Sequence, residues 1–411
     1  MELHRLVIAA CALVPAFVVA GCDETAGPSS SVSAPSVQIH TARTPDSSTT
    51  FTPTTSTPLS VAVTTTTTMP HNISGFSAQS VSFVTAGVGF VLGDVACPKS
   101  ACLALRETTN RGVSWTSMTP PPAALGESAY SAGPELHFAD ALNGWAYGAT
   151  LWATHDGAIQ WREVNLGGTV LAMASGAGEV YALVEPCDSS ALSCSASGRL
   201  YRSPVGQDSW TEVPSISGQL IAGQYGLVVE NHSVFVWTAY PKPELLALSG
   251  GVHFVSLPVP CPTGIDDGFG PFNIEAIAAI DPSDIAVLCV GPPSMEGDAE
   301  RAYLSHDGGY AFQSLPDPAV GFAGDLAMPS PNMLLLAGGL VAGSWVFRIS
   351  AGSSSWSESV GFGGQETGVS DMAFVDPSDG ALVLADTPSG SGEVYLTNDD
   401  GSSWHALNIP A

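Results

Sequence analysis

A short motif that ends in an aromatic residue recurs along this 411-residue chain and constrains its fold more than any other feature. Weaker copies end at Trp210, Phe254 and Trp356, and successive aromatic positions are separated by 46, 49, 44, 58, 44 and 48 residues. A repeat of this length, built from short strands and turns, is typical of a β-propeller. The four clear copies, which read S/T-x-D-x-G-x-x-W/F with only Asn110 and Ala158 departing, are residues 108–115, 154–161, 305–312 and 397–404.

The residue types of the motif suit a tight turn between two antiparallel strands. The Asp or Asn side chain can accept hydrogen bonds from the backbone N–H groups that follow it. Glycine permits a positive φ, and the aromatic residue that begins the next strand can bury a large apolar area. We therefore predict a structural, noncatalytic role for Asn110, Asp156, Asp307, Asp399, Trp115, Trp161, Phe312 and Trp404.

A second pattern precedes the motifs, in which two apolar runs flank a group of turn residues. Such runs predict a pair of short antiparallel strands. Seven pairs alternating with seven motifs predict an all-β fold, a seven-bladed β-propeller of four-stranded antiparallel blades over about residues 79–410. The runs are residues 83–93, 138–148, 280–291, 328–338 and 374–384, with poorer copies at 173–183 and 225–229.

The motif resembles the Asp-box (bacterial neuraminidase, BNR) repeat of sialidase-like propellers. This resemblance implies that the motifs occupy outer turns between the third and fourth strands, remote from any active site. Together with the stretch F-x-D-x-x-x-G-W-x-x-G at 138–148, the motifs also resemble the photosystem II stability and assembly factor family. That family implies a noncatalytic role in holding or assembling a membrane-protein partner. Its arginine-rich patch has no counterpart here, since the chain has only 11 Lys and Arg residues.

The first 71 residues are predicted to direct the protein to export and to tether it to the membrane. An apolar run at 6–20 leads to Val19-Ala20-Gly21-Cys22, which resembles the lipobox of bacterial lipoproteins. The resemblance implies that residues 1–21 are a signal peptide and that Cys22 is lipidated, although an ordinary secretory signal is the alternative. Residues 22–71 are rich in Ser, Thr and Pro and predict a disordered tether, with the propeller at 72–411. We expect an extracytoplasmic protein of the bacterial cell envelope, held to the membrane by its lipid alone.

Six cysteines remain after Cys11 and Cys22 are set aside. In an exported chain an even number suggests disulfides, and six cysteines allow fifteen pairings. The cysteines lack C-x-x-C spacing and nearby histidines, so we predict neither a metal site nor a cofactor. Proximity in sequence favours Cys97–Cys102, Cys187–Cys194 and Cys261–Cys289, all on one face of the propeller.

The chain is strongly acidic, with a net charge of −27. This charge opposes binding to nucleic acid and to anionic lipid. It favours solubility, with attraction of cationic partners or Ca²⁺ as the alternative interpretation. A solvated acidic surface is the simplest explanation, and we expect a monomer.

Two classes of function remain. Sialidases clamp the substrate carboxylate with three arginines, but no arginine here is predicted on an innermost strand, so sialidase activity is not expected. A glycoside hydrolase with paired carboxylates is the alternative, because five acids lie near the starts of inner strands. The Asp-Pro-Ser-Asp stretches at 281–284 and 376–379 are interpreted as turns. The five strand-start acids are Asp266, Asp267, Glu275, Asp325 and Asp371.

We favour a noncatalytic scaffold that presents loops to a protein or glycan partner. The candidate binding loop lies in the longest interval between aromatic positions, where acids and aromatics occur together. It comprises Asp266, Asp267, Phe269 and Phe272.

Overall fold

The computed structural model describes most of the region predicted to be the propeller. The predicted signal peptide and tether, with Cys22, lie outside the described residues, as do Cys187, Cys194, Asp266, Asp267 and Phe269. The described residues are 75–98, 100–124, 133–186, 197–213, 225–238, 242–249, 251, 253–263, 271–291, 299–318, 322–340, 343–363, 368–384 and 392–411.

Seven antiparallel sheets of four strands make up the fold, and each sheet uses four strands that are consecutive in the chain. The predicted seven-bladed, all-β propeller is therefore confirmed. Blade 1 contains β1 (Phe76–Phe83), β2 (Gly89–Ala96), β3 (Ala101–Thr108) and β4 (Thr116–Met118); blade 2 contains β5 (Glu135–Phe138), β6 (Gly144–Tyr147), β7 (Leu151–Thr154) and β8 (Arg162–Val164). Blade 3 contains β9 (Thr169–Gly176), β10 (Glu179–Glu185), β11 (Arg199–Pro204) and β12 (Thr211–Val213); blade 4 contains β13 (Tyr225–Glu230), β14 (Ser233–Thr238), β15 (Glu244–Ser249) and β16 (His253–Leu257). Blade 5 contains β17 (Asn273–Ala279), β18 (Ile285–Val290), β19 (Glu300–Ser305) and β20 (Gln313–Ser314); blade 6 contains β21 (Phe322–Ser330), β22 (Met333–Leu340), β23 (Gly343–Ser350) and β24 (Ser357–Gly363). Blade 7 contains β25 (Val369–Phe374), β26 (Gly380–Leu384), β27 (Glu393–Thr397) and β28 (His405–Ala406).

The first strand of each blade is the innermost. For example, β13 contacts β9 and β17, and β21 contacts β17 and β25. The ring closes where β1 packs against β26 and β27 of blade 7. The connections from first to second strand (inner turns) and from third to fourth strand (outer turns) share one side of the ring, here called the turn face. The remaining connections lie on the opposite side, the entry face.

Each of the seven recurrent aromatic residues packs at the boundary between its own blade and the preceding one. Trp404 is fully buried among side chains of blades 6 and 7. Trp161 packs with residues of blades 1 and 2, and its indole donates a hydrogen bond to the carbonyl of Thr119 at 2.8 Å. One aromatic side chain per repeat thus supplies apolar area to each blade boundary. The other five are Trp115, Trp210, Phe254, Phe312 and Trp356.

The outer turns of blades 1, 2, 5 and 7 share one hydrogen-bond pattern. In blade 5 the hydroxyl of Ser305 donates to Oδ1 of Asp307 at 2.8 Å. The same carboxylate oxygen accepts from the backbone N–H groups of Tyr310 and Ala311, at 3.0 and 2.8 Å. Asn110, Asp156 and Asp399 each accept backbone N–H bonds within their own turns in the same way. In these turns the side chain is used to fix the backbone.

In six blades a backbone hydrogen bond joins the outer turn to the inner turn. The donor is always an N–H of the outer turn and the acceptor a carbonyl of the inner turn, with N···O distances of 2.8–3.1 Å. The turn face is therefore fixed within each of these blades. The donor and acceptor pairs are Arg111–Gly87, Gly157–Leu142, Val205–Gly178, Gly308–Ser283, Ala351–Asn332 and Asp400–Ser378.

Candidate functional site

Two disulfides brace the entry face. Cys97 and Cys102 join the end of β2 to the start of β3, with 5.8 Å between their Cα atoms. Cys261 precedes β17 and is bonded to Cys289 in β18, with a Cα–Cα distance of 5.5 Å. The predicted third pair lies outside the described residues. The described bonds therefore fix chain connections on the side where blades begin.

Phe272 does not offer the exposed contact that the sequence predicted. Its side chain is 1% exposed and packs in the core between blades 4 and 5. The guanidinium carbon of Arg301 lies 5.7 Å from the centre of its ring. Assigning Phe272 to an exposed binding loop was therefore wrong, because burial against Cys261 and neighbouring apolar residues places it in the core.

Five innermost strands contain a β-bulge at a similar height in the ring. At each bulge the pairing register with the second strand skips one residue of the inner strand, so the strand bends and the direction of its side chains changes. In blades 6 and 7 the bulge immediately precedes Asp325 and Asp371, respectively. The residues at the five bulges are Gln79, Leu171, Glu275, Gly324 and Ser370.

Asp325 links the innermost strands of blades 6 and 7. Its Oδ2 accepts the backbone N–H of Met372 at 2.6 Å, and its Oδ1 accepts the N–H of Leu326 at 2.8 Å. Burial raises the pKa of Asp325 to about 6, although these two donors favour the ionised form. This carboxyl therefore keeps its proton to a higher pH than an ordinary aspartic acid does.

Asp371 and Glu135 belong to the same group of carboxyls. Burial raises the pKa of Asp371 well above its usual range, and the charges of Asp325 and Glu135 raise it further. The hydroxyl of Tyr147 donates to Oε2 of Glu135 at 2.7 Å, and the burial of Tyr147, followed by the charge of Glu135, raises the phenol pKa. We call Glu135, Tyr147, Asp325 and Asp371 the axial collar.

The axial collar combines carboxyls in different environments. Asp325 receives two backbone N–H donors, whereas neighbouring negative charges act on Asp371, so Asp371 is the member that retains a proton more readily. Carboxyls whose pKa values are pushed apart can serve as an acid and a base, or can hydrogen-bond a ligand as donor and acceptor. Among the described residues, no group of three or more His, Cys, Asp or Glu side chains is arranged to hold a metal ion.

The sequence identified two collar residues and missed two. Asp325 and Asp371 were predicted near the starts of inner strands, and they lie there. Glu135, the first residue of β5, was missed because that strand has only four residues. The alternation of polar Glu135 and His137 with apolar Leu136 and Phe138 was the available signal. Glu275 forms the bulge of β17.

The other acids that were interpreted as turn residues occupy inner turns. Oδ1 of Asp281 accepts the N–H groups of Ser283 and Asp284, at 2.6 and 2.9 Å. Asp376 accepts two equivalent bonds at 2.8 and 2.9 Å. These carboxylates stabilise turns on the turn face, away from the axial collar.

A polar cleft of about 440 Å³ lies on the turn face between blades 2 and 3. Ser175 lines it, and its hydroxyl is 2.9 Å from Nε2 of His137. Burial lowers the pKa of His137 to about 4, so the imidazole is neutral at pH 7 and is a weak base. A general base works best when its pKa is near the working pH, so this Ser–His contact is poorly matched to nucleophilic catalysis.

The arginines of the described residues do not form a carboxylate clamp near the collar. Arg106, Arg199, Arg202, Arg301 and Arg348 all lie in third strands. Arg111 and Arg162 lie in the outer turn of blade 1 and at the start of β8. None of these seven is on an innermost strand, as expected from the sequence.

Comparison with known proteins identifies similar folds at low sequence identity. YCF48 bound to D1 peptide has a TM-score of 0.51 and 15% identity, covering 82% of this chain and 99% of that one. YCF48 from Cyanidioschyzon merolae has a TM-score of 0.53 and 14% identity, covering 79% and 96%. A PL25 ulvan lyase bound to -[GlcA(1-4)Rha3S]- has a TM-score of 0.54 and 10% identity, covering 82% and 96%.

These likenesses establish the propeller fold and include both a peptide-bound propeller and a polysaccharide lyase. No protein-family model matches the chain, and no curated protein sequence matches it. Among the described residues, no helix is long and apolar enough to span a membrane.

Proposed function

We propose that this chain is a membrane-tethered, extracytoplasmic propeller that binds a protein or glycan partner on its entry face. The observation that carries the proposal is the difference between the two faces. The turn face uses its polar side chains and backbone groups to fix its own turns. The axial collar instead places carboxyl and phenol groups from blades 2, 6 and 7 near the entry-face ends of their strands.

Two further observations support this assignment. The disulfides brace entry-face connections, which preorganises a surface and lowers the entropy cost of binding. YCF48 bound to D1 peptide is an example of a similar propeller that holds a peptide. Carboxyl and phenol groups can hydrogen-bond the basic side chains of a protein or the hydroxyls of a glycan.

Capture from native membranes, with the propeller domain as bait, tests the binding function. The double variant Asp325→Asn/Asp371→Asn should reduce recovery of a specific partner at least about tenfold, because the collar loses negative charge and an amide NH2 replaces one oxygen of each carboxyl group. Asp307→Ala on the turn face is the matched control and should retain the partner. Equal recovery of the partner by wild type and the collar variant, or loss of the partner only with the turn-face variant, would show that the entry face is not the binding face.

The membrane tether is a separate part of the proposal and rests on the lipobox-like residues before Cys22. Acyl chains on Cys22 would supply the hydrophobic attachment, with residues 22–71 as a spacer. Cys22→Ala should move the protein from the membrane to the soluble fraction of cells. Wholly membrane-bound Cys22→Ala protein would contradict lipid anchoring without affecting the propeller assignment.

A hydrolytic or lyase activity on polysaccharide is the second candidate, because the environments of Asp325 and Asp371 separate their proton affinities. In this alternative Asp371 would act as the acid and Asp325 as the base. Reducing-end and unsaturated-product assays on a panel of acidic and neutral polysaccharides test it. Activity that disappears in Asp371→Asn and in Asp325→Asn would favour this candidate over simple binding.

A further inference from the structure

The boundary between blades 7 and 1 differs from the other six blade boundaries. At each of those six, the chain runs from the fourth strand of one blade to the first strand of the next. Blades 7 and 1 have no such covalent connection, and no strand of the described residues is shared between their sheets. At the six linked boundaries, the covalent connection keeps neighbouring blades at a high effective concentration. The boundary between blades 7 and 1, here called the seam, lacks that connection and depends on noncovalent contacts alone.

The innermost contacts of the seam are close and directional. The N–H of Ala78 donates to the carbonyl of Gly392 at 2.9 Å, and the N–H of Gly392 donates to the hydroxyl of Ser77 at 2.9 Å. A Cβ on Gly392 would lie only 1.9 Å from the carbonyl oxygen of Ala78. Glycine is therefore required for this approach of blade 7 to blade 1.

Residues 407–411, which follow the last strand of blade 7, lie across the seam onto blade 1. The N–H of Leu407 donates to the carbonyl of Val394 in blade 7 at 2.8 Å, while its side chain contacts Gly112 of blade 1. Ile409 is 3% exposed and packs in the core shared by the two blades. The carbonyl of Pro410 accepts a hydrogen bond from Nε of Arg106 at 3.1 Å.

Arg106 of blade 1 adds a polar contact to the apolar packing of residues 407–411. Its side chain is buried in blade 1, where the guanidinium carbon lies 5.4 Å from the centre of the Phe76 ring. One of its amino groups also donates to the carbonyl of Leu105 at 3.1 Å. A buried guanidinium needs acceptors, so release of Pro410 would leave the Nε–H donor without this partner.

We propose that residues 407–411 are a clasp, and that its release opens the ring between blades 7 and 1 before any other pair of blades separates. The seam lies beside blade 7, whose innermost strand β25 carries Asp371 of the axial collar. Opening there would give a ligand lateral access to the centre of the ring.

Amide hydrogen exchange at Ala78 and Gly392 tests the clasp, since both amides are hydrogen-bonded across the seam. Leu407→Ala should speed their exchange by about tenfold, because it loosens the clasp without touching either amide. Leu315→Ala is the matched control. Leu315 is also a half-buried leucine just after a fourth strand, and it packs at the covalently linked boundary of blades 5 and 6.

In Leu407→Ala the indole N–H of Trp356, bonded across the boundary of blades 5 and 6 to Pro316 at 2.8 Å, should keep its wild-type exchange rate. Ile409→Val is a milder clasp variant that serves if Leu407→Ala does not fold. Unchanged exchange at Ala78 and Gly392 in the folded clasp variants overturns the proposal. Equal acceleration of those amides by Leu315→Ala also overturns it, because exchange would then report global unfolding.

Discussion

Asp208 of blade 3 accepts a hydrogen bond from the indole of Trp145 in blade 2, with 3.2 Å between Oδ1 and Nε1. The same carboxylate, only 2% exposed, also binds His155 and Arg162 of blade 2. Burial opposes ionisation of Asp208, but hydrogen bonds from these three side chains hold its pKa below the usual value. One acidic residue thus joins two blades.

Asp208→Ala should lower the free energy of unfolding by about 2–3 kcal/mol, because it leaves a buried indole N–H and two cationic or polar groups without their acceptor. Asp208→Asn should cost less, since Asn tolerates the φ of +47° at this position and keeps an acceptor oxygen. Urea unfolding measures both. Asp317→Ala is the control, because Asp317 is 60% exposed and its ion pair with Arg301 should contribute less than about 1 kcal/mol. Similar losses for Asp208→Ala and Asp317→Ala would contradict the importance of burial.

Asp399→Ala should remove the acceptor for the backbone N–H of Ser403, at 2.8 Å, and for its hydroxyl, at 2.6 Å. We expect a loss of about 1–2 kcal/mol and a fall in Tm of a few degrees. Partner affinity should stay near wild type, because this outer turn lies on the turn face. Thermal melts and binding isotherms on the same preparation check both parts, and a fully stable variant with weakened binding would be the contrary result.

Glu230 should make stability depend on pH. Burial, followed by the charge of Asp281, raises its pKa from the ordinary 4.5 to about 7. The folded state therefore holds a proton that the unfolded state releases, so wild-type stability should decrease as pH rises from about 4.5 to about 7. Glu230→Gln should raise Tm at pH 8 and leave it nearly unchanged at pH 4. The exposed Glu163→Gln is the control, and a pH-independent effect of Glu230→Gln would refute the explanation.

Removal of the two described disulfides should have unequal effects. Cys261 and Cys289 are separated by 28 positions, whereas Cys97 and Cys102 are separated by only five. Loop-closure entropy predicts losses of about 3–4 kcal/mol for the Cys261→Ser/Cys289→Ser variant and about 2 kcal/mol for Cys97→Ser/Cys102→Ser. Chemical unfolding compares them, and the reverse order would show that native-state strain or packing dominates.

Nonreducing peptide mapping addresses the bonds directly and includes the predicted Cys187–Cys194 pair. Free thiols or crossed pairs at any of the six positions would correct the assignment.

The repeat could be predicted from the sequence because each blade has the same packing requirement. Trp161 and Trp404 recur at fixed phase since every blade boundary needs a large apolar side chain at one position. The four outer turns could also be predicted from the sequence, because Asp307 and its equivalents accept hydrogen bonds from backbone N–H groups only a few residues away. Local chemistry of this kind is visible in a short window of sequence.

The candidate site was only partly predictable because it depends on contacts between distant blades. Glu135 and Asp371 are 236 positions apart, and their electrostatic coupling exists only in the closed ring. The bulge before Asp371 leaves no clear signature in the residue types. Phe272 was misplaced for a related reason: an aromatic residue beside acidic loop residues resembles an exposed contact until its neighbours from blade 4 are known.

The position of Ala411 beside Gly75 makes the ring suitable for circular permutation. A Cβ placed on Gly75 would lie 3.2 Å from the Cβ of Ala411, so a few added residues would join the two positions in a propeller domain from which residues 1–74 had been removed. The polypeptide could then be cut at another boundary between blades, since each sheet is made from one continuous stretch of chain. Such a permutant would carry a peptide linkage where the natural ring has only packing and hydrogen bonds, and it would move the boundary without a covalent connection to another pair of blades.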